Sequence, residues 1–467
     1  MKHGGSTITA LGCLALLATD STGQGVPAQA PLYRQLRYDE DYRYLRDAPK
    51  ADLFDPLKYV SLNQSGDTYL SFGGEARGRY EYYHNPSWGR APQDDDGYWL
   101  QRYLLHADLH VTEWFRAFAQ FQSSLINDRV GGPRPTDKDI LEVHQGFLDG
   151  RLPFNDTNSV TLRLGRQELS YGSSRLISFR ESPNVRLSFD GVKAIAQFGQ
   201  SRIDAFAVKP VETKPDIFDD GPDPDESLWG VYSVTPFPSI PGAHADLYYL
   251  GVERKDAMFN QGTAREVRHS FGARLWGKWS EFDYNFEWVY QFGSFGHGDI
   301  SAWTAASDQG YTFKDLVWHP RLALKADVTS GDDNPNAADL QTFNPLFPRG
   351  AYFGETSLIG PANHMDVHPS LELNPTGQLT LMLDWDFFWR ESTHDGIYGN
   401  AVNLVVPAGS SSARYVGDQA QVMAEWRFQR HLTLTAAYAH FFTGDFLKES
   451  TPGKDVDYFS TWLTFRF

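Results

Sequence analysis

The chain ends in the stretch "DYFSTWLTFRF", from Asp457 to Phe467. Every second residue from Phe459 to Phe467 is Phe, Thr, Leu, Phe and Phe in turn. Thr464 and Arg466 are among the residues between them. Because a β-strand places alternate side chains on opposite faces, one face of this segment is apolar and the other is more polar. The apolar face would meet a core in a soluble sandwich and lipid in an outer-membrane barrel.

The same alternation recurs along the whole chain and decides between these two folds. Clear examples are Tyr69–Tyr82, Trp99–Val111, Phe282–Phe292 and Leu379–Trp389. A soluble sheet rarely carries ionisable side chains along one face and large aromatics along the other, strand after strand. We count about eighteen such segments, of which those near residues 191–248 and 303 are weakly patterned. The pattern predicts an all-β fold, a transmembrane antiparallel β-barrel of about 18 strands.

The connectors between these segments alternate between short and long. Tight turns are expected at Thr112-Glu113, Gly199-Gln200 and Trp279-Ser280. Long connectors are expected at Asn85–Gly97, Asn127–Lys138, Tyr171–Asn184, Glu212–Ser227, Arg254–Glu266, Ser330–Asp366 and Ser392–Ser412. Outer-membrane barrels have short periplasmic turns and longer extracellular loops. Ser330–Asp366, the longest, is expected either to fold into the lumen as a constriction or to form a surface loop.

The N-terminal region is expected to contain two segments before the barrel. Residues 1–28 have the basic start, apolar stretch and small-residue cleavage region of a signal peptide. Residues 29–67 would form a periplasmic segment, followed by the barrel at 68–467. The four arginines of Leu32–Asp52 either steer an anionic polymer or a periplasmic scaffold protein, or belong to a short lid packed beneath the barrel.

Composition excludes several classes of function. The formal net charge is −17, with the acidic runs in Gly/Pro-rich connectors, so no nucleic-acid partner is expected. These runs are interpreted as solvated loops or as calcium bridges to lipopolysaccharide. The only cysteine, Cys13, lies within the signal peptide, which excludes cysteine metal sites and disulfides from the mature chain. No apolar run after the signal peptide is long enough for a spanning helix. We expect no metal site and no cofactor.

The sequence offers little support for catalysis. It contains no His-Glu-x-x-His motif and no Gly-rich phosphate loop, and Gly172-Ser173-Ser174 is not a nucleophile elbow. We therefore predict that the protein is not an enzyme. An outer-membrane hydrolase and a structural or adhesive barrel remain alternative hypotheses.

Basic side chains with lumenal parity are the candidate functional residues. They are Arg77, Arg79, Arg102, Arg116, Arg163, Lys193, Arg274, Arg321, Lys325, Arg390 and Arg427, and acidic residues are interleaved with them. A net excess of guanidinium groups in a pore favours anionic solutes. The alternative for any one arginine is an ion pair that braces neighbouring strands.

Four sequence motifs resemble those of a known family, the alginate export family of outer-membrane porins. They are "LRLGRQELSYGSSRLISFRESPNVRLSFDGVKA" (Leu162–Ala194), "TSGDDN" (Thr329–Asn334), "TFNPLFPRGAYFG" (Thr342–Gly354) and "FFWRES" (Phe387–Ser392). The resemblance extends over about Tyr59–Phe467. It implies an eighteen-stranded barrel through which an anionic polyuronate passes an Arg/Lys-lined constriction, with loops as lids.

The resemblance also implies which residues contact the solute. Carried onto this chain, the positions that match arginines of the family's motifs are Arg166, Arg175, Arg180, Arg186 and Arg390, and we add Arg77, Arg79 and Arg102. Their role would be transient charge-assisted hydrogen bonds to carboxylates and hydroxyls. This sequence differs from the family pattern in its many acidic residues with lumenal parity, which would make the constriction less electropositive.

The expected function is passive export of alginate or a related anionic exopolysaccharide across the outer membrane of a Gram-negative bacterium. The alternative is an uptake porin for oligosaccharides or small organic anions on the same scaffold. Expected partners are an anionic polysaccharide, outer-membrane lipid with lipopolysaccharide, and a periplasmic scaffold protein. We expect the barrel to be a monomer.

Overall fold

The computed structural model describes residues 33–467, and the expected signal peptide lies outside them. Eighteen long antiparallel strands each bond to the next, and the first pairs with the last, so that the sheet closes. The predicted barrel of about 18 strands is confirmed. The strands are β1 Thr68–His84, β2 Tyr98–Val111, β3 Phe115–Asn127, β4 Asp139–Asn155, β5 Asn158–Gln167, β6 Phe189–Phe198, β7 Ser201–Glu212, β8 Glu226–Pro236, β9 Ala243–Phe259, β10 Gly262–Trp279, β11 Phe282–Phe295, β12 Gly298–Thr312, β13 Arg321–Thr329, β14 His364–Leu373, β15 Leu379–Trp389, β16 Tyr415–Gln429, β17 Leu432–Thr443 and β18 Val456–Arg466.

Helical structure in the described residues is limited to short turns. They are the 3-10 turns Arg37–Asp39 and Arg43–Arg46, and α1 Asp55–Lys58, α2 Pro86–Gly89 and α3 Asp445–Ser450. Two short strands pair with the ends of barrel strands, Val60–Ser61 with β1 and Gly221–Pro222 with β7. Ile397–Tyr398 and Leu404–Val406 pair with each other in a separate small sheet. Within residues 33–467, no helix has the length and apolar character needed to cross a membrane.

The two faces of the strands differ as the alternation predicts. On β11, Trp288 is 52% exposed on the outer face, whereas the adjacent Glu287 is 3% exposed inside the barrel. On β18, Phe459 lies on the outer face, and Ser460 is buried inside, where it accepts a hydrogen bond from Arg79. An apolar outer face is what the hydrocarbon region of a membrane requires.

The barrel has a turn end and a loop end. The turn end carries both termini of the barrel and eight connectors, such as the one between β2 and β3. The loop end carries loops 1 to 9, of which loop 3 (168–188), loop 7 (330–363) and loop 8 (390–414) are long. The long connector expected at Arg254–Glu266 is wrong. Instead, β9 and β10 continue as a tall hairpin, because Phe259 packs inward against Tyr398 of loop 8.

Loops 3 and 7 fold into the barrel and pair with each other. Phe347 donates its backbone N–H to Leu176 O (2.8 Å), and Arg349 donates to Ser174 O (3.0 Å). The expected inward fold of the longest connector is therefore confirmed, whereas the inward course of loop 3 was not predicted. An apolar cluster joins these loops to the inner faces of β6–β12; it includes Leu169, Ile177, Phe206, Val208, Leu228, Leu250, Val252, Phe343 and Phe347. This packing explains the weak alternation near residues 191–248, since both faces of those strands are apolar.

The segment before β1 packs against the turn end. Arg37 donates to Gly74 O (3.1 Å) and Phe467 O (2.7 Å), so this segment joins both strands at the closure. Tyr38 packs between Phe118 and Phe147 inside the barrel. These contacts agree with the lid that the sequence offered as one interpretation.

Lys58 in this segment provides a test of how it docks. Its ammonium is buried without a hydrogen-bond partner and lies 4.9 Å from the ring centroid of Tyr42. Burial, reinforced by the Arg37 guanidinium, lowers the pKa of Lys58 from 10.5 to about 7. Between these values the folded segment holds fewer protons than the unfolded one, so its stability rises with pH, by at most about 1.4 kcal/mol per unit.

We expect protease cleavage within residues 33–67 to be slower at pH 9.5 than at pH 7, relative to an unstructured peptide substrate. Lys58→Met should remove most of this difference and slow cleavage at pH 7. Lys50→Met changes an exposed lysine of the same segment and should leave the pH dependence as it is. The same pH dependence in both variants would contradict the assignment to Lys58.

Candidate functional site

The arginines of β1 and β2 form the first part of the inner wall. Arg77 and Arg102 point inward and are 4% and 0% exposed. Arg102 donates to Glu75 Oε1 (2.7 Å) and to Glu181 Oε1 of loop 3 (2.6 Å). Arg77 donates to the carbonyl oxygens of Glu181 and Pro183. These two guanidinium groups therefore hold loop 3 against the wall.

Arg79 joins loop 7 to the same wall. Its guanidinium donates to Glu355 Oε2 of loop 7 (2.9 Å) and to the Tyr458 hydroxyl of β18 (2.6 Å), and it lies 2.7 Å from Glu81. Arg79 is 2% exposed. The wall arginines Arg77, Arg79 and Arg102 thus act together as docking points for both inward loops.

Three of the expected arginines lie on loop 3. Arg175 donates to Asp327 Oδ2 of β13 (2.6 Å), and Arg186 lies 2.8 Å from Glu168. Arg180 differs from them, because no carboxylate of residues 33–467 lies within 4 Å of its guanidinium. Burial lowers the pKa of Arg180 to about 10, so it stays charged at neutral pH.

The last two expected arginines lie elsewhere. Arg166, at the end of β5, donates to both oxygens of Asp190 of β6 (2.9 and 3.0 Å). Arg390 follows β15 and is fully buried among carbonyl oxygens of loop 8, to which it donates at Thr393, Asp395, Ser411 and Ala413. The expected set is therefore not one ring. β15 ends at Trp389, so Arg390 is the first residue of loop 8. The Arg390 side chain points into this loop and stabilises it.

Most other inward cations are also paired. The pairs are Arg163 with Asp149 (2.7 Å), Arg116 with Asp108 (2.7 Å), Arg268 with Glu266 (2.5 Å), Arg274 with Asp246 (2.9 Å) and Lys193 with Asp204 (3.1 Å). Because a buried charge is costly without a partner, such pairs are expected wherever the loops exclude water. These inward cations are thus paired with acidic side chains, which favours the bracing interpretation for these residues.

A cavity of about 50 Å³ remains between loops 3 and 7 and the inner faces of β11–β14. Its basic residues are Arg175, Lys325 and Arg349, and its acidic residues are Glu287, Asp308, Asp327 and Asp366. Within residues 33–467, neither the Lys325 ammonium nor the Arg349 guanidinium has a carboxylate within 4 Å. These two cations are free to bind an anion.

The sequence analysis placed Lys325 on the lumenal face but did not single out Arg349. Arg349 belongs to the motif "TFNPLFPRGAYFG", whose resemblance to the family was the available signal. Its backbone N–H is fixed by Ser174 O, and its Nη2 donates to Tyr352 O (3.2 Å). The pairing of loops 3 and 7 therefore aims Arg349 at the cavity.

A second space lies at the turn end, between the N-terminal segment and β2–β6. It measures about 1000 Å³ and is lined by both arginines and carboxylates, among them Arg43, Arg116 and Asp149. In two places of the described chain, three side chains of the kinds that bind metal ions lie close together. One group is Asp366, His368 and Asp386, and the other is Glu142, Asp219 and Asp220.

Comparisons with solved structures identify the fold. The chain is similar to OccK3 (OpdO) of Pseudomonas aeruginosa, with a TM-score of 0.54 and 12% identity over 85% of this chain and 95% of that one. It is similar to a BenF-like porin from Pseudomonas fluorescens Pf-5, with a TM-score of 0.59 and 11% identity over 85% and 98%. It is also similar to Pseudomonas aeruginosa OpdK, solved with vanillate, with a TM-score of 0.56 and 10% identity over 85% and 98%. At such identities the likeness shows the fold alone.

The family follows from the sequence comparison. No curated protein matches the chain. Residues 68–459, which contain nearly the whole barrel, match the family model described as "Alginate export". The chain therefore belongs to the alginate export family and has the barrel fold of outer-membrane porins.

Proposed function

We propose that the protein is a passive outer-membrane channel that exports alginate or a related anionic polysaccharide. The observation that carries this proposal is the pair of unpaired cations, Lys325 and Arg349, beside the cavity between the inward loops. Family membership supports the polyuronate class of solute. In this proposal the turn end and the N-terminal segment face the periplasm, and the loop end faces outward.

The chemistry required of the channel is binding that is selective but weak. The Lys325 ammonium and the Arg349 guanidinium would donate charge-assisted hydrogen bonds to successive uronate carboxylates. The nearby acids Asp308 and Asp366 would limit how tightly each carboxylate is held, so that the polymer moves on. Arg175 contributes less, because it is committed to Asp327 and Glu287.

Passage of a polymer requires movement of the inward loops. The apolar cluster around Phe343 and Phe347 fills the interior near β6–β12. A second cluster, which includes Trp88, Phe353, Phe388, Phe441 and Phe446, fills the loop end near β15–β18. We propose that loop 7 moves away from β16. The hydrogen bonds between them join Glu355 to Gln421, and Thr356 and Phe353 to Gln419.

Uptake of small organic anions is the second candidate function. The small volume of the cavity between loops 3 and 7 favours it, since about 50 Å³ admits a small carboxylate more readily than a polymer. One structural neighbour, OpdK, was solved with vanillate, which is itself a small carboxylate.

The first test concerns ion selectivity. Lys325→Gln with Arg349→Gln should shift the reversal potential of the reconstituted channel toward lower anion preference, because both unpaired cations are removed. Arg265→Gln changes an exposed arginine paired with Glu253 and should leave the reversal potential unchanged. An unchanged reversal potential in the double variant would reject the assigned cations.

The second test separates the two candidate solutes. Oligouronates added to one side of the membrane should block the current, and the Lys325→Gln, Arg349→Gln variant should need at least about tenfold more for the same block, or 1.4 kcal/mol. Neutral oligosaccharides of equal length are the control and should block poorly. Block by small carboxylates without block by oligouronates would favour the uptake function.

The third test concerns the bracing arginines. Arg102→Gln removes a buried partner of Glu75 and Glu181 and should destabilise the folded barrel by about 2 kcal/mol, because charge-assisted hydrogen bonds are lost and Glu75 keeps only Arg466 as an ion-pair partner. The measurement is the temperature at which the compact, heat-modifiable band is lost. Arg151→Gln, which breaks an exposed pair with Glu113, should cost at most about 1 kcal/mol. Altered selectivity in Arg102→Gln without lost stability would show a role in solute binding instead.

A further inference from the structure

Five ionisable side chains meet on the inner face of β14 and β15. His364, Asp366 and His368 alternate along β14, and Asp384 and Asp386 alternate along β15. Because successive side chains of a strand point to opposite faces, each set lies on one face. The register places His368 directly opposite Asp386, since Val367 pairs with Phe387 and Ser370 with Asp384.

The distances within this cluster suit a metal ion. His368 Nδ1 lies 3.1 Å from Asp386 Oδ2, and His368 Nε2 lies 3.1 Å from Asp384 Oδ1. Ligand atoms of Asp366, His368 and Asp386 all lie within 4.8 Å of one another. Bonds of about 2.0–2.2 Å to a tetrahedral ion place its ligands roughly 3.5 Å apart, so a small inward adjustment would suffice.

An independent observation concerns the hydrogen bonding of the two buried carboxylates. Asp386 is 0% exposed, and neither of its carboxylate oxygens has a hydrogen-bond partner in residues 33–467. Asp366 is 4% exposed, and its Oδ1 also lacks a partner there. In residues 33–467 the only cationic type of side chain within 4 Å of the Asp386 carboxylate is the His368 imidazole, at 3.1 Å, and that ring is also 3.1 Å from Asp384. The buried carboxylates of Asp386 and Asp366 are therefore incompletely compensated, which costs free energy. A cation bound between the two would remove this cost.

The neighbouring basic groups do not supply that cation. Arg175 is committed to Asp327 and Glu287. Lys325 lies opposite His368 in the β13–β14 ladder, yet in the described chain its ammonium is more than 4 Å from every carboxylate. His368 lies 3.1 Å from both Asp384 and Asp386, and no arginine or lysine of the described chain lies within 4 Å of the Asp366 carboxylate.

We propose that Asp366, His368 and Asp386 bind one divalent cation of the zinc type. His368 would coordinate through Nδ1, while Asp384 accepts the hydrogen bond of Nε2 and orients the ring, as carboxylates commonly do for metal-bound imidazoles. The imidazole ligand and the small number of donors favour zinc, because calcium takes six to eight oxygen ligands. His364 Nε2, 3.5 Å from Asp366 Oδ1, is the nearest further donor.

The site borders the cavity between loops 3 and 7 and would change its charge. Asp366 and His368 line the cavity that Lys325 and Arg349 also face. A bound dication would make that cavity more positive and thereby increase its attraction for anions. Binding of the ion itself does not depend on the proposed solute.

The test is zinc binding by the full chain folded in detergent and stripped with a chelator. Calorimetric titration should show one tight Zn²⁺ per chain, which Asp386→Asn and His368→Gln each abolish. Asp384→Asn, which changes a positioning residue, should weaken binding about 10- to 100-fold. Cobalt should give visible absorption bands in the unmodified chain that His368→Gln lacks, which reports imidazole coordination directly.

Two control variants keep the result specific. Asp308→Asn changes a carboxylate of the same cavity outside the cluster, and Glu142→Gln changes the other acidic group; both should bind zinc normally. Heat-modifiable migration shows which variants are folded, and His368→Gln serves if Asp386→Asn does not fold. Absence of tight zinc, tighter binding of calcium than of zinc, or zinc retained by His368→Gln would each overturn the proposal.

Discussion

Every backbone N–H and C=O within the hydrocarbon region of a membrane must be paired inside the protein, because lipid offers no partners. The pairing of β1 with β18, from Glu75 opposite Arg466 to His84 opposite Asp457, meets this requirement by removing both sheet edges. Closure gives the sheet an outer face, which contacts lipid, and an inner face, which contacts the inward loops and encloses the charged side chains. The inward loops, the paired arginines and the free cations all follow from how that enclosed inner face is filled.

Two parts of the inner face are filled in different ways. Near β6–β12 it is apolar and is covered by the pairing of loops 3 and 7, whereas near β1–β5 it is charged. Because the loops exclude water there, each buried arginine needs a carboxylate or several carbonyl oxygens. The arginines that would make an open pore electropositive, such as Arg102, instead hold the loops in place. Lys325 and Arg349 are free because they border the remaining cavity.

The sequence predicted part of the candidate site and not the rest. It identified Arg77, Arg79 and Arg102 as inward-facing, because parity along a strand is a local property. It placed Arg390 with them, although that residue lies past the end of β15. The sequence analysis did not predict the cluster on β14 and β15. The alternation of His364, Asp366 and His368 is visible in the sequence, but the register that places β14 against Asp386 of β15 is not.

The alternation of side chains and the lengths of the connectors, both read from neighbouring residues, were enough to predict the closed barrel of about 18 strands and the outward face of each strand. Tertiary structure alone decided what occupies the interior. Arg79 and Glu355 are 276 positions apart, and Ile177 meets Phe347 across the lumen. Such contacts are made between side chains brought together by closure, and no local pattern records which of many enclosed charges will become partners.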